Sequence, residues 1–169
     1  KRAQDRLQRL FALHDYRGID TPLLEETELF LRKSGGEMGV RLYNFTDHGG
    51  GRVSLRPEFT SSIIRYYIQA KEEGPLPLRW QYAGPVFRFE PITPGVSRQF
   101  TQVGVEVLGA SGHESDAEVL ALAWHGLSDL GLSNHQLQIG HIGVIHGLLR
   151  GYNLSERARD FLVDGITQL

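Results

Sequence analysis

Cysteine is absent from this chain, so disulfides, zinc–thiolate sites and cysteine nucleophiles are excluded from its chemistry. Lysine and arginine nowhere gather into a run, and the formal net charge is -2, which gives no electrostatic case for broad nucleic-acid binding. No apolar stretch is long enough to span a bilayer, so no membrane partner is expected. Neither of the nucleotide-binding glycine-loop spacings occurs. The run Gly49 to Gly51 follows His48 between two apolar segments and reads as a turn, where glycine supplies positive φ at little cost. A nucleotide bound here would have to be held by arginines.

What is present is ordinary in amount. The 169 residues are 40% apolar and 22% charged, enough for the core of one soluble domain over residues 1–169. A cysteine-free composition also suits a cytoplasmic location. The chain opens within KRAQDRLQRLFALHDY and stops within ARDFLVDGITQL, both helical in pattern, so it is expected to be a fragment of a longer protein.

Periodicity organises the rest. Leu7, Leu10, Phe11 and Leu13 mark an amphipathic helix that Tyr16-Arg17-Gly18 stops. A short strand then ends at Pro22, and Glu25 to Leu31 has helical composition. Ser34 to Glu37 reads as a flexible break, and Leu42 to Asp47 and Val53 to Arg56 as two strands around the glycine turn. Pro57 to Ala70 reads as a helix, with Ile63, Ile64, Tyr67 and Ile68 on one face. Ser115 to Leu130, Val144 to Arg150 and Ser155 to Leu169 read as further helices, and Gln136 to Ile139 as a strand. Paired strands followed by helices, without regular alternation, predict an α+β fold with a mostly antiparallel sheet flanked by helices.

The most informative stretch runs from Tyr82 to Val107. It reads as a strand (Gly84 to Phe89), a Pro/Gly-interrupted loop (Pro91 to Val96) and a return strand (Gln99 to Val107). Alternation puts Arg88 with Glu90 on one face, and Gln102 with Gly104 and Glu106 on one face. Fixed charges with a glycine leaving room between them resemble the floor of a pocket for a charged small molecule; the competing reading is the solvated side of a two-faced sheet. His141 and His146 are five apart, which is not a same-face helix spacing, and no metal site is expected. Tyr66, Tyr67, Trp80 and Tyr82 lack surrounding lysines and read as core rather than as a base-stacking platform.

Three local sequences combine into a larger pattern: LRPEFT (Leu55 to Thr60), GPVFRFE (Gly84 to Glu90) and SRQFTQVGVE (Ser97 to Glu106). In this order they resemble the catalytic core of class II aminoacyl-tRNA synthetases, in the histidyl branch. Phe-Arg-x-Glu resembles the second motif of that class, and Gly18 to Pro22 its first. The resemblance covers nearly the whole chain and implies the class II core fold. It implies that Arg88 contacts the α-phosphate of ATP during adenylate formation, that Glu90 takes the adenine end and that Arg98 reaches the terminal phosphates. It also implies that Glu58, Thr60, Gln102 and Glu106 hold histidine, with magnesium accompanying ATP, tRNA as a further partner, and a homodimer joined through the first motif.

The same branch contains the regulatory subunit of ATP phosphoribosyltransferase, a histidine sensor without synthetase activity whose partner is the catalytic chain of that enzyme. The Arg88/Glu90 pair, Arg98 and LRPEFT favour a working ATP site and the ligase reading. FTQVGVE and LQIGHIGVIHGLL (Leu137 to Leu149) look more like the regulatory subunit. The motif Arg-Gly-Leu-Asp-Tyr-Tyr, the third class motif and the anticodon-binding domain, all expected of a synthetase, are not within these residues. A dimerisation or binding module that keeps the fold without its ligands is a third reading.

Overall fold

The computed structural model describes residues 1–32, 41–70, 75–91 and 94–167. Along it run α1 (Arg2–Leu13), β1 (Arg17–Gly18), β2 (Leu24–Glu26), β3 (Asn44–Thr46), β4 (Arg52–Leu55), α2 (Thr60–Ala70), β5 (Leu78–Phe87), β6 (Gln99–Leu108), α3 (His113–Asp129), α4 (Ile142–Arg150) and α5 (Glu156–Thr167). Residues 27–32 are also helical. The break expected at Ser34 to Glu37 lies outside the described residues, as do 92–93 in the hairpin loop.

One sheet has the order β1-β5-β6 and the other β2-β4-β3. β5 and β6 pair antiparallel over ten residues each, with Trp80 opposite Glu106, Tyr82 opposite Gly104 and Gly84 opposite Gln102. β1 adds a short parallel pairing, Arg17 to Trp80. In the second sheet, Asp47 closes the glycine turn: its carboxylate accepts from the amides of Gly49 and Gly51, both at 2.8 Å, and Gly50 takes the positive φ of 83°. The fold is thus α+β with mainly antiparallel sheets flanked by helices, as expected.

Several boundaries differ from the sequence reading. β5 starts at Leu78 rather than Gly84 and stops at Phe87, so Trp80 and Tyr82 belong to the ladder and Arg88 lies just beyond it. The ladder of the first short strand stops at Gly18, well before Pro22, and Glu25 is in β2 instead of a helix. Residues 136–139 form no strand, and neither sheet includes them.

The hairpin separates two apolar clusters. On one face, Trp80, Tyr82 and Val86 pack with Phe59 and Ile63, and Tyr67 of α2 closes over them. On the other, Val103, Val105 and Val107 pack against Phe11, Tyr16 and Leu122, bringing in α1 and α3. Alternation along both strands produces the two faces. The chain forms two compact units, residues 1–133, which hold both sheets, and 134–169, in which α4 packs against α5.

A polar cluster ties α3 to the hairpin. Arg79 donates Nε and Nη2 to the two oxygens of Glu118 at 2.9 and 2.8 Å, and the Tyr16 hydroxyl donates to the same carboxylate at 2.7 Å. The arginine first, then the phenol, pulls the Glu118 carboxyl down from its ordinary 4.5 to about 2. Burial, and then the hydrogen bond to Glu118, push the Tyr16 phenol well above its usual range. Because the folded value lies below the unfolded one, Glu118 contributes stability that is complete above about pH 4.5 and is lost as pH falls towards 2. Replacing Glu118 by Gln is therefore expected to cost about 1 kcal/mol at pH 7 in urea unfolding. The gap between wild type and E118Q should narrow steadily from pH 5 to pH 3; a constant gap would contradict the assignment.

Candidate functional site

The segment after β4 delivers two polar side chains to one place. Arg56, Pro57 and Phe59 are buried, which fixes the turn into α2. Glu58 accepts from the backbone amide of Ser61 at 3.0 Å and so satisfies one of the unpaired donors at the helix start. Thr60, the first residue of α2, donates its hydroxyl to Glu106 Oε1 at 2.6 Å, joining two positions 46 residues apart.

Glu106 comes from β6, where it shares a face with Phe100, Gln102 and Gly104 and, across the ladder, with Trp80, Tyr82, Gly84 and Val86. The Gln102 side-chain oxygen is shut off from solvent and has no hydrogen-bond partner among the described residues. Such an atom fits a ligand that brings a donor. The room expected at Gly104 is not empty. The ring of Tyr82 fills it, so that a Cβ at Gly104 would stand 2.6 Å from the phenol Cζ. Gly84 is used in the same way: a Cβ there would meet Arg56 Nη2 at 2.7 Å and Phe59 Cζ at 3.0 Å.

Tyr82 is thus more than core. Its ring stacks on Phe59 with centroids 4.4 Å apart and planes 15° from parallel. Burial first, then the charges of Glu106 and Glu58, push its phenol up to about 12, with the Thr60 hydroxyl pulling the other way. At neutral pH the phenol is a proton donor beside two carboxylates. The sequence reading took Tyr82 for core alone. Counting the hairpin register from both ends would have set it opposite Gly104, which is the signal that marks it.

The expected phosphate-binding end lies past the ladder. The Arg88 amide extends the pairing by donating to the Arg98 carbonyl at 3.0 Å, and Arg88 Nε donates to the Pro57 carbonyl at 3.0 Å. Each guanidinium leans on a phenylalanine of the opposite strand segment, Arg88 at 5.2 Å from the Phe100 centroid and Arg98 at 4.8 Å from that of Phe89. Glu90 does not pair with Arg88. Its carboxylate lies 3.3 Å from Arg41 Nη1, a residue the sequence reading did not single out, while its backbone carbonyl accepts from Arg98 Nε at 2.9 Å. Glu58, Thr60, Tyr82 and Glu106 are brought together; Arg88, Arg98 and Glu90 form a second group at the hairpin end.

The site residues on β6, Gln102, Gly104 and Glu106, are half-buried. Cavities of about 270 Å³ (beside Arg17, Arg79 and Trp80) and about 520 Å³ (beside Leu29, Ile64 and Ile68) lie elsewhere. No three metal-ligating side chains cluster among the described residues, and no helix among them is long and apolar enough to cross a membrane.

The profile of one family, described as histidyl-tRNA synthetase, matches residues 1–168. Among curated relatives, the histidine–tRNA ligase of Methanocaldococcus jannaschii is 40% identical over 90% of this chain and 36% of its own length. That of Methanococcus vannielii is 39% identical over 92% of this chain and 37% of its own length. The chain therefore spans a little over a third of these relatives. Among solved structures, an ATP phosphoribosyltransferase regulatory subunit/histidyl-tRNA synthetase from Bacillus halodurans aligns with a TM-score of 0.84 at 30% identity, covering 95% of this chain and 41% of that one. Apo histidyl-tRNA synthetase of S. aureus aligns with a TM-score of 0.64 at 34% identity, over 78% of this chain and 34% of that one.

The close fit of Tyr82 over Gly104 sets a steric test. Stacked on Phe59, the ring cannot withdraw, so Gly104→Ala is expected to destabilise by about 1–3 kcal/mol in chemical denaturation. Gly147, inside α4 with open space around its Cα, is the control. Gly147→Ala should be neutral or slightly stabilising. Equal, small effects at both sites would contradict the packing described.

Proposed function

The chain belongs to the histidyl-tRNA synthetase family, and from that premise we propose that it is the part of a histidine–tRNA ligase that binds histidine and ATP and forms histidyl-adenylate. The observation that carries this reading is the 2.6 Å bond from Thr60 to Glu106, which joins the LRPEFT segment to the return strand beside Glu58 and Tyr82. Carboxylates at Glu58 and Glu106 suit an α-ammonium and an imidazole N–H, and the unpartnered oxygen of Gln102 suits a further N–H of the same ligand.

Arg88 is the residue proposed to act on the reacting phosphate. Adenylate formation requires the histidine carboxylate to attack the α-phosphorus of ATP, with pyrophosphate leaving, while charge builds on the non-bridging oxygens. A guanidinium braced by the Pro57 carbonyl and the Phe100 ring is preorganised for that charge. Arg98 is proposed to hold the terminal phosphates and Glu90 to accept from the adenine amino group, which requires its contact with Arg41 to loosen or be shared. A magnesium ion accompanying ATP would neutralise phosphate charge as pyrophosphate departs, with the phosphates themselves as its main ligands. Transfer to tRNA, a homodimer joined through the Gly18 to Pro22 region, and a cytoplasmic location complete the proposal.

A second reading draws on the Bacillus halodurans structure, whose description names an ATP phosphoribosyltransferase regulatory subunit alongside a synthetase. In that case the same pocket senses histidine, the partner is the phosphoribosyltransferase catalytic chain, and no adenylate forms.

Calorimetry is expected to detect histidine binding, weakened by at least about 2 kcal/mol in Glu106→Ala. Unchanged affinity in that variant would remove Glu106 from the site. In the full-length protein, histidine-dependent pyrophosphate exchange should fall at least about a hundredfold in Arg88→Lys and Arg88→Ala, with histidine binding nearly intact. Normal histidine affinity without any exchange in wild type would select the regulatory reading.

A further inference from the structure

Phe89 and Glu90, just beyond the β5–β6 ladder, are gripped from two sides. The segment 41–43 supplies one of them. Its middle residue, Leu42, is buried, the Tyr43 carbonyl accepts from the Leu55 amide of β4 at 2.9 Å, and the Arg41 carbonyl accepts from the Phe89 amide at 2.8 Å. The Tyr43 ring meets that of Phe89 edge-on, with centroids 6.1 Å apart. Arg98 supplies the other side, with its guanidinium 4.8 Å from the Phe89 centroid and its Nε donating to the Glu90 carbonyl at 2.9 Å. The backbone of both residues is thereby fixed. The Glu90 carboxylate has one partner among the described residues, Arg41, whose Nη1 lies 3.3 Å from Oε1. The Arg41 side chain is 48% exposed and that of Glu90 26%. An ion pair this open to water adds little to stability. What it can do is select one rotamer of a flexible side chain whose backbone is already set.

We propose that Arg41 is a positioning residue for the base of the nucleotide: it holds Oε1 of Glu90 and so leaves Oε2 to accept from the amino group of adenine, both contacts being made at once. A carboxylate has lone pairs enough on its two oxygens for both partners. The ion pair is therefore shared when ATP binds and does not open. Adenine presents a donor at its C6 position and guanine an acceptor. An ionised carboxylate held in one place takes the first in a charge-assisted bond and repels the second. Arg41 touches neither base nor phosphate in this arrangement and acts only through Glu90. In that it differs from Arg88 and Arg98, whose guanidinium groups are proposed to meet the phosphates. The inference rests on the ATP reading proposed above, in which Glu90 faces the adenine end.

The test uses two nucleotides that differ only in the group Glu90 is proposed to read: ATP, and purine riboside triphosphate, which carries hydrogen in place of the amino group. Both are titrated calorimetrically, with magnesium, against the full-length protein and its Arg41→Ala, Glu90→Ala and double variants. Wild type should bind ATP the more tightly. Arg41→Ala should weaken ATP about five- to tenfold, the range of one hydrogen bond, and change the analogue by less than about twofold. In the Glu90→Ala background the same substitution should change neither nucleotide. Urea midpoints of wild type and Arg41→Ala should nearly coincide, because the ion pair is half-exposed. Equal losses for both nucleotides would put Arg41 on the phosphates or the sugar and overturn the proposal. Unchanged ATP affinity in Arg41→Ala would overturn it as well, and so would a urea midpoint that drops together with the affinity, which would make the residue structural. Wild type that binds both nucleotides equally would also refute it, since the amino group is then not read, while ATP binding itself stands. Wild type that binds neither defeats the ATP reading, and the proposal with it.

Discussion

Arg56 is 3% exposed, and its guanidinium is engaged through Nε, Nη1 and its face. Nη1 donates to the Thr21 carbonyl at 2.6 Å, Nε donates to the Pro85 carbonyl at 3.0 Å, and the plane lies 3.8 Å from the Phe59 centroid. Burial lowers its proton affinity, while the negative charges of Asp20 and Glu25 oppose that shift. The backbone on either side is engaged as well, the Arg56 amide with the Leu23 carbonyl and the Arg56 carbonyl with the Phe87 amide, both at 3.0 Å. Segments from the loop before β2, from the start of α2 and from β5 are therefore held in one relation by a single side chain. Planar, multi-donor geometry makes arginine suited to this in a way lysine is not. Gly84 is glycine because the guanidinium and Phe59 take the space a side chain would need.

Strand alternation gives the hairpin held by this anchor two different faces. The valines of β6 at 103, 105 and 107 close one side against α1 and α3. On the other side, α2 covers Trp80, Tyr82 and Val86 of β5, and the polar residues of β6 remain half-buried beside it. A helix placed over one strand and not its neighbour leaves a polar strip next to an apolar wall. Such a strip supports ligand contacts because its charges are fixed by the ladder and partly withdrawn from water.

The far end of the hairpin is organised by different forces. Arg88 and Arg98 are each held by a carbonyl and an aromatic face, and neither is neutralised by Glu90. Cation–π contact and carbonyl hydrogen bonds restrain an arginine without cancelling its charge. A pair of restrained cations is what a polyphosphate needs where no glycine loop is available. The hairpin thus carries amide-and-carboxylate chemistry at one end and guanidinium chemistry at the other, about the span of one strand apart.

How much of this was legible beforehand follows from which interactions are local. Strand alternation put Gln102, Gly104 and Glu106 on one face, and the ordered motifs identified the family and its class of fold. The first depends only on neighbours in sequence, whose geometry the backbone period imposes; the second rests on the resemblance of the motifs themselves. The absence of cysteine and of a glycine phosphate loop was equally plain. Tertiary structure alone decided the contacts that cross long intervals: Thr60 with Glu106, Glu118 with Arg79 and Tyr16, Arg41 with Glu90. It also decided that β5 runs from Leu78 to Phe87, and that no strand forms at 136–139, because a strand exists only where a partner pairs with it. Gly104 is the sharpest case. From sequence it reads as room for a ligand, whereas the register sets Tyr82 against it, and only the packing of that ring on Phe59 determines what the glycine is for.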